Sequence, residues 1–407
     1  MERNTKEWIL DAAFSFYHEP LFVNVSLSQI AQRTGISKAA IFKHFKNKET
    51  LIQAMDNRLY DSVSLALEQM QGLHHDGKDI EALKSIIVFL IHHREYVFYL
   101  VCTKASLTED AVLRELHRRG MPFLEMLYDE NGSIKDMELY FRSIFVSATI
   151  LIFVMWLFKD TDNEELLGYE PEDFIHSLNG LIENGMGNRS QPIADERLAE
   201  LDALCRITGG EIEAEDKIFL AISRIASKSG FQDITVEKIA DELGLAKSSL
   251  YSSYTNKTDL IRCSILGELQ KLYAIIIRKL KAVQQSDERL YVLFQAELAY
   301  FMLRPQILFI FQALFADASL YDDKIGQGIT DRRAFCAQMQ KLKLLERIPD
   351  MGVPFMDELL IFSWLSVLPG VVYIHCQRND FSPDFMRTAM RSIYHMVEFG
   401  ISGKEVH

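Results

Sequence analysis

Cysteine, proline and enzyme signatures are what this chain has least of, and each shortage excludes something. Its five cysteines, Cys102, Cys205, Cys263, Cys336 and Cys376, are odd in number, far apart and never in a C-x-x-C pair. That spacing fits neither a secreted disulfide framework nor a structural zinc site, and it points to a reducing, cytoplasmic setting. Nine prolines and 20 glycines in 407 residues leave few breakers, which excludes collagen-like and low-complexity chains and lets long helices run on. Met1 to Trp8 is charged and has no apolar core, so no secretory signal is expected. The most lipid-like run, between Arg142 and Lys159, falls short of the roughly 20 residues that cross a bilayer and reads as a buried helix, so no membrane partner is expected. The sequence has no G-x-x-x-x-G-K-[ST], no G-x-G-x-x-G after a strand, no H-E-x-x-H and no G-x-S-x-G; no catalytic residue, cofactor or metal site is therefore expected. His74-His75-Asp76, between Gly72 and Gly77, reads as an exposed loop rather than a metal site.

What is present is an ordinary globular composition, 48% hydrophobic and 25% charged, with 44 Lys and Arg against 57 Asp and Glu for a net charge of −13. The chain also contains itself twice. Ile30-Ala31-Gln32-Arg33-Thr34-Gly35-Ile36-Ser37-Lys38 recurs as Ile239-Ala240-Asp241-Glu242-Leu243-Gly244-Leu245-Ala246-Lys247, an offset of 239 − 30 = 209. Without a gap the same offset pairs Ile9 with Ile218, Phe42 with Tyr251, Phe45 with Tyr254 and Asn47-Lys48 with Asn256-Lys257. Downstream the likeness thins but persists: Arg94 matches Arg304 at an offset of 210, and Trp156 matches Trp364 at 208. Each half is thus one copy of a repeated unit. The apolar spacing is helical throughout, as in Ile9, Ala12, Ala13, Phe16 and Tyr17, and an all-α fold is expected.

Within the repeat, Ser26 and Gln29 form a capping box for a helix to about Thr34, Gly35 supplies a turn, and Ser37 caps a second helix through His44. Two short helices joined by a turn with Gly are a helix-turn-helix, packed internally by Ile30, Ala31, Ile36 and Ile41. The outer face of the second helix, with Lys38, Ala39, Ala40, Lys43 and His44, is small or cationic and can enter a major groove about 12 Å wide. Asn47 can cap the following helix, whose first amides and Lys48 suit a phosphate.

These residues, with Ile9-Leu10-x-Ala12-Ala13 before them and Asn47-Lys48-Glu49-x-Leu51 after, resemble the DNA-binding domain of TetR/AcrR-type transcriptional regulators, and Ile218 to Ile261 resembles it again. The resemblance implies two tandem units, each a three-helix DNA-binding domain followed by a helical ligand-binding and dimerisation domain. The expected boundaries are 1–52, 53–188, a linker at 189–210, 211–262 and 263–407. The expected DNA contacts are Ser26, Ser37, Lys38, Ala39, Phe42, Lys43, His44 and Lys48 in the first copy, and Thr235, Lys247, Ser248, Ser249, Tyr251, Ser252, Ser253 and Lys257 in the second. The partners so implied are double-stranded DNA and a small, largely apolar effector, with the chain acting as a monomeric pseudo-dimer or as a homodimer of tandem chains.

The copies depart from the pattern and from each other. Phe42 stands where the family commonly has Tyr, and Leu21 where Gly230 makes the usual turn. The second copy replaces Lys43-His44 with Ser252-Ser253 and the capping Ser37 with Ala246. Residues 1–52 hold seven Lys or Arg against five acids, and residues 211–262 seven against nine, the excess lying largely in Glu211, Glu213, Glu215 and Asp216, which read as a solvated helix start. Phosphate affinity is therefore expected to be greater in the first copy. The sequence-level reading is a ligand-responsive repressor on an asymmetric operator; the alternative is a small-molecule-binding or interaction protein of the same fold with weakened or lost DNA binding. Candidate pocket residues, drawn from the aromatic and Met content, are Tyr96, Phe98, Met121, Phe153, Trp156, Phe309, Phe335, Trp364 and Tyr373. Pro369-Gly370 is expected to break or kink its helix.

Overall fold

The computed structural model describes residues 5–17, 26–71, 79–103, 110–121, 125–160, 172–187, 189–229, 234–308, 337–345 and 358–401. Leu21, Gly230, the 72–77 segment, Cys336, Phe309 and Phe335 lie outside these, as does the side chain of Trp156. The chain divides into two units, residues 1–180 with 351–353 and residues 181–350 with 354–407. The fold is all-α; extended backbone among the described residues pairs only as an isolated bridge between Tyr128 and Ile134.

In the first unit a headpiece of α1 (Thr5–Phe14), α2 (Leu27–Thr34) and α3 (Lys38–His44) leads into the long α4 (Lys48–Gln71). The body adds α5 (Asp79–His92), α6 (Arg94–Thr103), α7 (Asp110–Arg118), α8 (Met137–Asp160) and α9 (Glu172–Asn184). Helix α4 packs on α1, α5 and α7, while α8 packs on α5 and α6. The apolar run expected to be too short for a bilayer lies in the 24-residue α8, whose window Met137–Met155 meets the length and composition of a span. Tyr140, Phe141, Ile144, Phe145, Ile152 and Phe153 are buried along it, and 56% of the window lies inside the protein, as in a core helix.

The second unit repeats the plan with α11 (Lys217–Ser229), α12 (Val236–Leu243) and α13 (Lys247–Tyr251) as its headpiece, followed by α14 (Lys257–Lys281) and α15 (Arg289–Leu303). Helix α14 carries Asp259 in its first turn and Arg278, Lys279 and Lys281 in its last, the order that complements a helix dipole. Helix α15 is the hub. It is buried nearly all round and packs on α14, on α16 (Glu358–Arg378) and on α17 (Pro383–Phe399).

The stretch 189–210, read from the sequence as a linker, is a built part of this unit. Its helix α10 (Asp195–Cys205) lies against α15. Arg197 makes two hydrogen bonds of 2.8 and 2.7 Å to the buried Glu288, and Asp202 accepts from Tyr291 and Arg391. Bidentate, partly desolvated pairs of this kind fix geometry more firmly than exposed ones. At its start the backbone N–H groups of Met186 and Gly187 donate to Val397 and Glu398 at 2.8 and 2.9 Å, and Ile401 donates to Ile182 at 2.9 Å. Gly185 and Gly400 meet here so closely that a Cβ on either would collide with opposing backbone.

Pro369 does not end its helix: α16 continues from Glu358 to Arg378. A proline inside a helix removes one hydrogen bond and costs about 3 kcal/mol, but Val367, Leu368, Val371 and Val372 are buried around it in the packing on α15 and α17, which holds the helix together.

Candidate nucleic-acid interface

Local chemistry sets the first recognition surface. The Ser26 hydroxyl accepts from Gln29 N at 3.2 Å while Ser26 N donates to Gln29 Oε1 at 2.9 Å, the reciprocal capping box that starts α2. Gly35 ends α2 at φ +69°, a left-handed conformation that costs glycine nothing. Ser37 then caps α3 by accepting from Ala40 N at 3.1 Å. Ile41 is fully buried and Phe45 nearly so, which anchors one face of α3 and turns Lys38, Ala39, Phe42, Lys43 and His44 outward. Lys38 and Lys43 have no acidic partner among the described residues. Asn47 accepts from Thr50 N at 2.9 Å to start α4, beside the half-buried Lys48.

The second surface has the same skeleton. Thr235 caps α12, accepting from Lys238 N at 3.2 Å, and Gly244 ends it at φ +64°. Ala246 offers no side-chain cap, and α13 runs only from Lys247 to Tyr251 before Ser252 closes it. Leu250 is buried, whereas Lys247, Ser248, Ser249, Tyr251, Ser252 and Ser253 are exposed and Lys257 is half-buried.

Two acids that the sequence reading passed over shape the second surface. Glu237 in the first turn of α12 is paired with Lys247, whose ammonium also lies 5.7 Å from the Tyr251 ring centre. The pair lowers the Glu237 carboxyl and raises the Lys247 ammonium from their ordinary pKa values. Asp259, in the first turn of α14, accepts from Thr255 N and Thr255 Oγ1 at 3.0 Å each. The Thr255 N–H, with Arg262 next, holds its carboxyl down at about 2. At the repeat offset these acids stand where the first copy has Ser28 (237 − 209 = 28) and Thr50 (259 − 209 = 50). That alignment is the signal that finds them.

The headpieces are also joined to their bodies differently. In the first, Phe14 meets Tyr96 and Tyr99 edge-on at 4.9 and 5.2 Å, Tyr17 meets Tyr99 at 5.1 Å, and the Tyr99 hydroxyl donates to Asp56 at 2.7 Å. In the second, the lead-in before α11 is tied down by charge. Glu215 pairs with Arg304 at 2.6 Å, Asp216 N donates to Glu268 at 2.8 Å, and Glu211 pairs with Arg278 and Lys279 at 2.8 and 3.1 Å. Of the four acids read as a solvated helix start, Glu213 is the exposed one; Asp216 caps α11 by accepting from Phe219 N at 2.8 Å.

Of the pocket candidates, Tyr96 sits in the first joint, its ring stacked 5.0 Å from His93. Phe98 lies 6.1 Å from Phe158, with the Arg94 guanidinium 5.3 Å from each ring. Met121, Phe153 and Trp364 are buried, and Tyr373 is half-buried with its hydroxyl pKa raised by that burial.

Residues 9–55 and 218–262 match the model of a family described as bacterial regulatory proteins, tetR family. The uncharacterized HTH-type transcriptional regulator YvkB of Bacillus subtilis (strain 168) is 26% identical over 110 residues, which are 27% of this chain and 57% of YvkB, so the match spans little more than half of that relative. The uncharacterized HTH-type transcriptional regulator YxbF of the same organism is 20% identical over 303 residues, 71% of this chain and 72% of YxbF. These names point to transcriptional regulation rather than to an enzyme.

Proposed function

The chain is a tandem transcriptional regulator of the TetR type, and we propose that it is a ligand-responsive repressor that holds an asymmetric operator with two unlike headpieces. The observation that carries this reading is the pair of outward recognition faces, each anchored by a buried residue, Ile41 or Leu250, yet bearing different groups. On the first face Lys38, Lys43 and His44 reach phosphates and base edges, with Ser26, Ser37, Ala39, Phe42 and Lys48 around them. On the second, Ser248, Ser249, Ser252 and Ser253 present hydroxyls, Tyr251 an aromatic hydroxyl, and Thr235, Lys247 and Lys257 complete the contact.

Unlike faces read unlike half-sites, about 34 to 36 Å apart if each lies one helical turn along the duplex. Covalent linkage makes the second contact intramolecular, at an effective concentration in the millimolar range. A small, largely apolar effector in the helical bodies releases DNA by favouring a conformation with the wrong headpiece spacing; coupling of about 1 to 3 kcal/mol suffices for such control. Helices α4 and α14, each running from headpiece into body, transmit the change. The protein acts in the cytoplasm, where its DNA is, as one tandem chain or as a pair of them.

Selection of bound sequences from random duplex DNA tests the reading. Two different half-sites are expected, and a perfect inverted repeat overturns the asymmetric operator. Titration with salt tests DNA binding itself, because a regulator loses log affinity in proportion to log salt with a slope of about −0.9 per neutralised phosphate. Binding that survives loss of the second surface but not of the first supports anchoring by the first headpiece alone, a reading favoured by the Glu237–Lys247 pair.

A further inference from the structure

Glu297 is the one fully buried carboxyl of α15 that the DNA-binding reading leaves without a task. It is 1% exposed, its carboxyl is hydrogen-bonded to the Ser366 hydroxyl on α16, and its Oε2 has no hydrogen-bond partner among the described residues. Burial pushes the carboxyl well above the usual carboxylate range, against the pull of that hydroxyl. Its neighbours one helical turn away along α15, Phe294 and Phe301, are fully buried. Ser366 is different: it is only half-buried, and so is Tyr373, two turns further along the same face of α16. A partly open stripe therefore leads to an unsatisfied buried acid.

The matched positions of the first unit are apolar. Taken from the matched Arg94 and Arg304, Glu297 corresponds to Ile87 (297 − 210 = 87). Taken from the matched Trp156 and Trp364, Ser366 corresponds to Phe158 (366 − 208 = 158). Ile87 and Phe158 are both buried, on helices α5 and α8 that pack together as α15 and α16 do. In the second unit an aliphatic side chain has become a carboxyl and a phenyl ring a hydroxymethyl, which adds an acceptor and removes bulk beside it.

We propose that Glu297, Ser366 and Tyr373 form a binding site for a hydrophobic amine in the second unit, the ammonium lying against Glu297 Oε2 and the apolar body along the Ser366–Tyr373 stripe. The proposal rests on the reading of the helical bodies as effector-binding domains. An ammonium brings several donors, enough for Oε2 and for the Ser366 oxygen, and its charge favours the ionised carboxylate that burial disfavours. The Tyr373 ring adds a face that attracts cations. An anion is repelled, and a neutral alcohol brings a single donor.

Calorimetric titration of the full chain with 2-phenylethylamine, 2-phenylethanol and 3-phenylpropionate tests this. The amine is expected to bind at least about tenfold more tightly than the alcohol, the gain of one charge-assisted hydrogen bond, and the propionate not at all. Glu297→Gln should remove that preference while leaving the alcohol unchanged. Ser366→Phe, which restores the ring of the first unit, should block amine and alcohol alike and serves if the glutamine variant does not fold. No amine binding by the native chain, or equal amine affinity in a folded variant, overturns the proposal. Duplex-DNA binding by the unliganded chain is measured alongside: a chain that holds DNA but no amine fails this site alone, and one that holds the amine through Glu297 but no DNA fails the regulator reading instead.

Discussion

Lys38 in the first headpiece has no acidic partner among the described residues at the start of α3, whereas its counterpart Lys247 is already engaged by Glu237. The opposition does not extend to the next helix, since α4 carries Glu49 in its first turn as α14 carries Asp259. Both headpieces keep the buried anchors and the left-handed glycine that make a helix-turn-helix. Skeleton and electrostatics are therefore separable: packing residues fix where the helix lies, and a few surface positions set the charge it presents. The joints differ as well: the first adds aromatic contacts to the pairing of Arg58 with Glu7 and Asp11, and the second is tied by ion pairs.

The sharpest way to break this comparison is Phe14→Ala. Loss of a buried ring at the centre of the first joint should cost about 3 kcal/mol or more, seen as a lower melting temperature of the first headpiece. Its counterpart at the repeat offset, Ser223 (14 + 209 = 223), should tolerate Ala within about 1 kcal/mol. Equal losses would show that the joints do not differ as described.

Next comes DNA binding. Lys38→Ala with Lys43→Ala should make the salt dependence of log affinity shallower by about 0.9 for each phosphate no longer neutralised, and Lys247→Ala should change it less because Glu237 already neutralises that cation. An unchanged affinity in the double variant removes the first-surface assignment. A smaller effect, of opposite sign, is expected for Glu237→Gln, which frees Lys247 and should strengthen DNA binding. Because the pair is exposed, folding stability should barely move. Placing the acid in the first copy, Ser28→Glu, should weaken binding instead.

The smallest effect is that of acid on the second joint. Glu211 is held at about 2, below its ordinary 4.5, first by the Thr208 backbone N–H and then by Lys279. A lowered carboxyl stabilises the folded state fully above about 4.5 and loses that contribution as pH falls toward 2. Hydrogen exchange followed through that window should therefore show the lead-in to α11 loosening before the aromatic first joint.

Much of this was legible in the sequence where the chemistry is local. Ser26 with Gln29, Gly35, Ser37 and Asn47 act on backbone no more than four residues away, so spacing alone locates α2, α3 and the start of α4. The missing cap at Ala246 likewise foretold a weaker second helix, and α13 is indeed the shorter. Illegible were contacts set by tertiary approach. Glu237 reaches Lys247 across the turn, and Tyr99 reaches Asp56 over 43 residues. Within the linker the apolar and charged alternation of Ile193 to Leu204 suits a short helix, but its docking stayed hidden because Arg197 and Asp202 look like ordinary surface charges until Glu288, Tyr291 and Arg391 are beside them. Pro369 misled for a related reason: a local breaker was overruled by burial on both sides.

The meeting of Gly185 with Gly400 sets a limit on how such a molecule can diversify. Neither position has room for even a methyl group, and the segments that cross there are stitched by their own backbone, so no compensating side chain elsewhere can substitute for them. The surfaces that face solvent carry no such restriction. Inherited variation can rewrite the outward residues of α3 and α13 while this crossing remains the immovable part of the design.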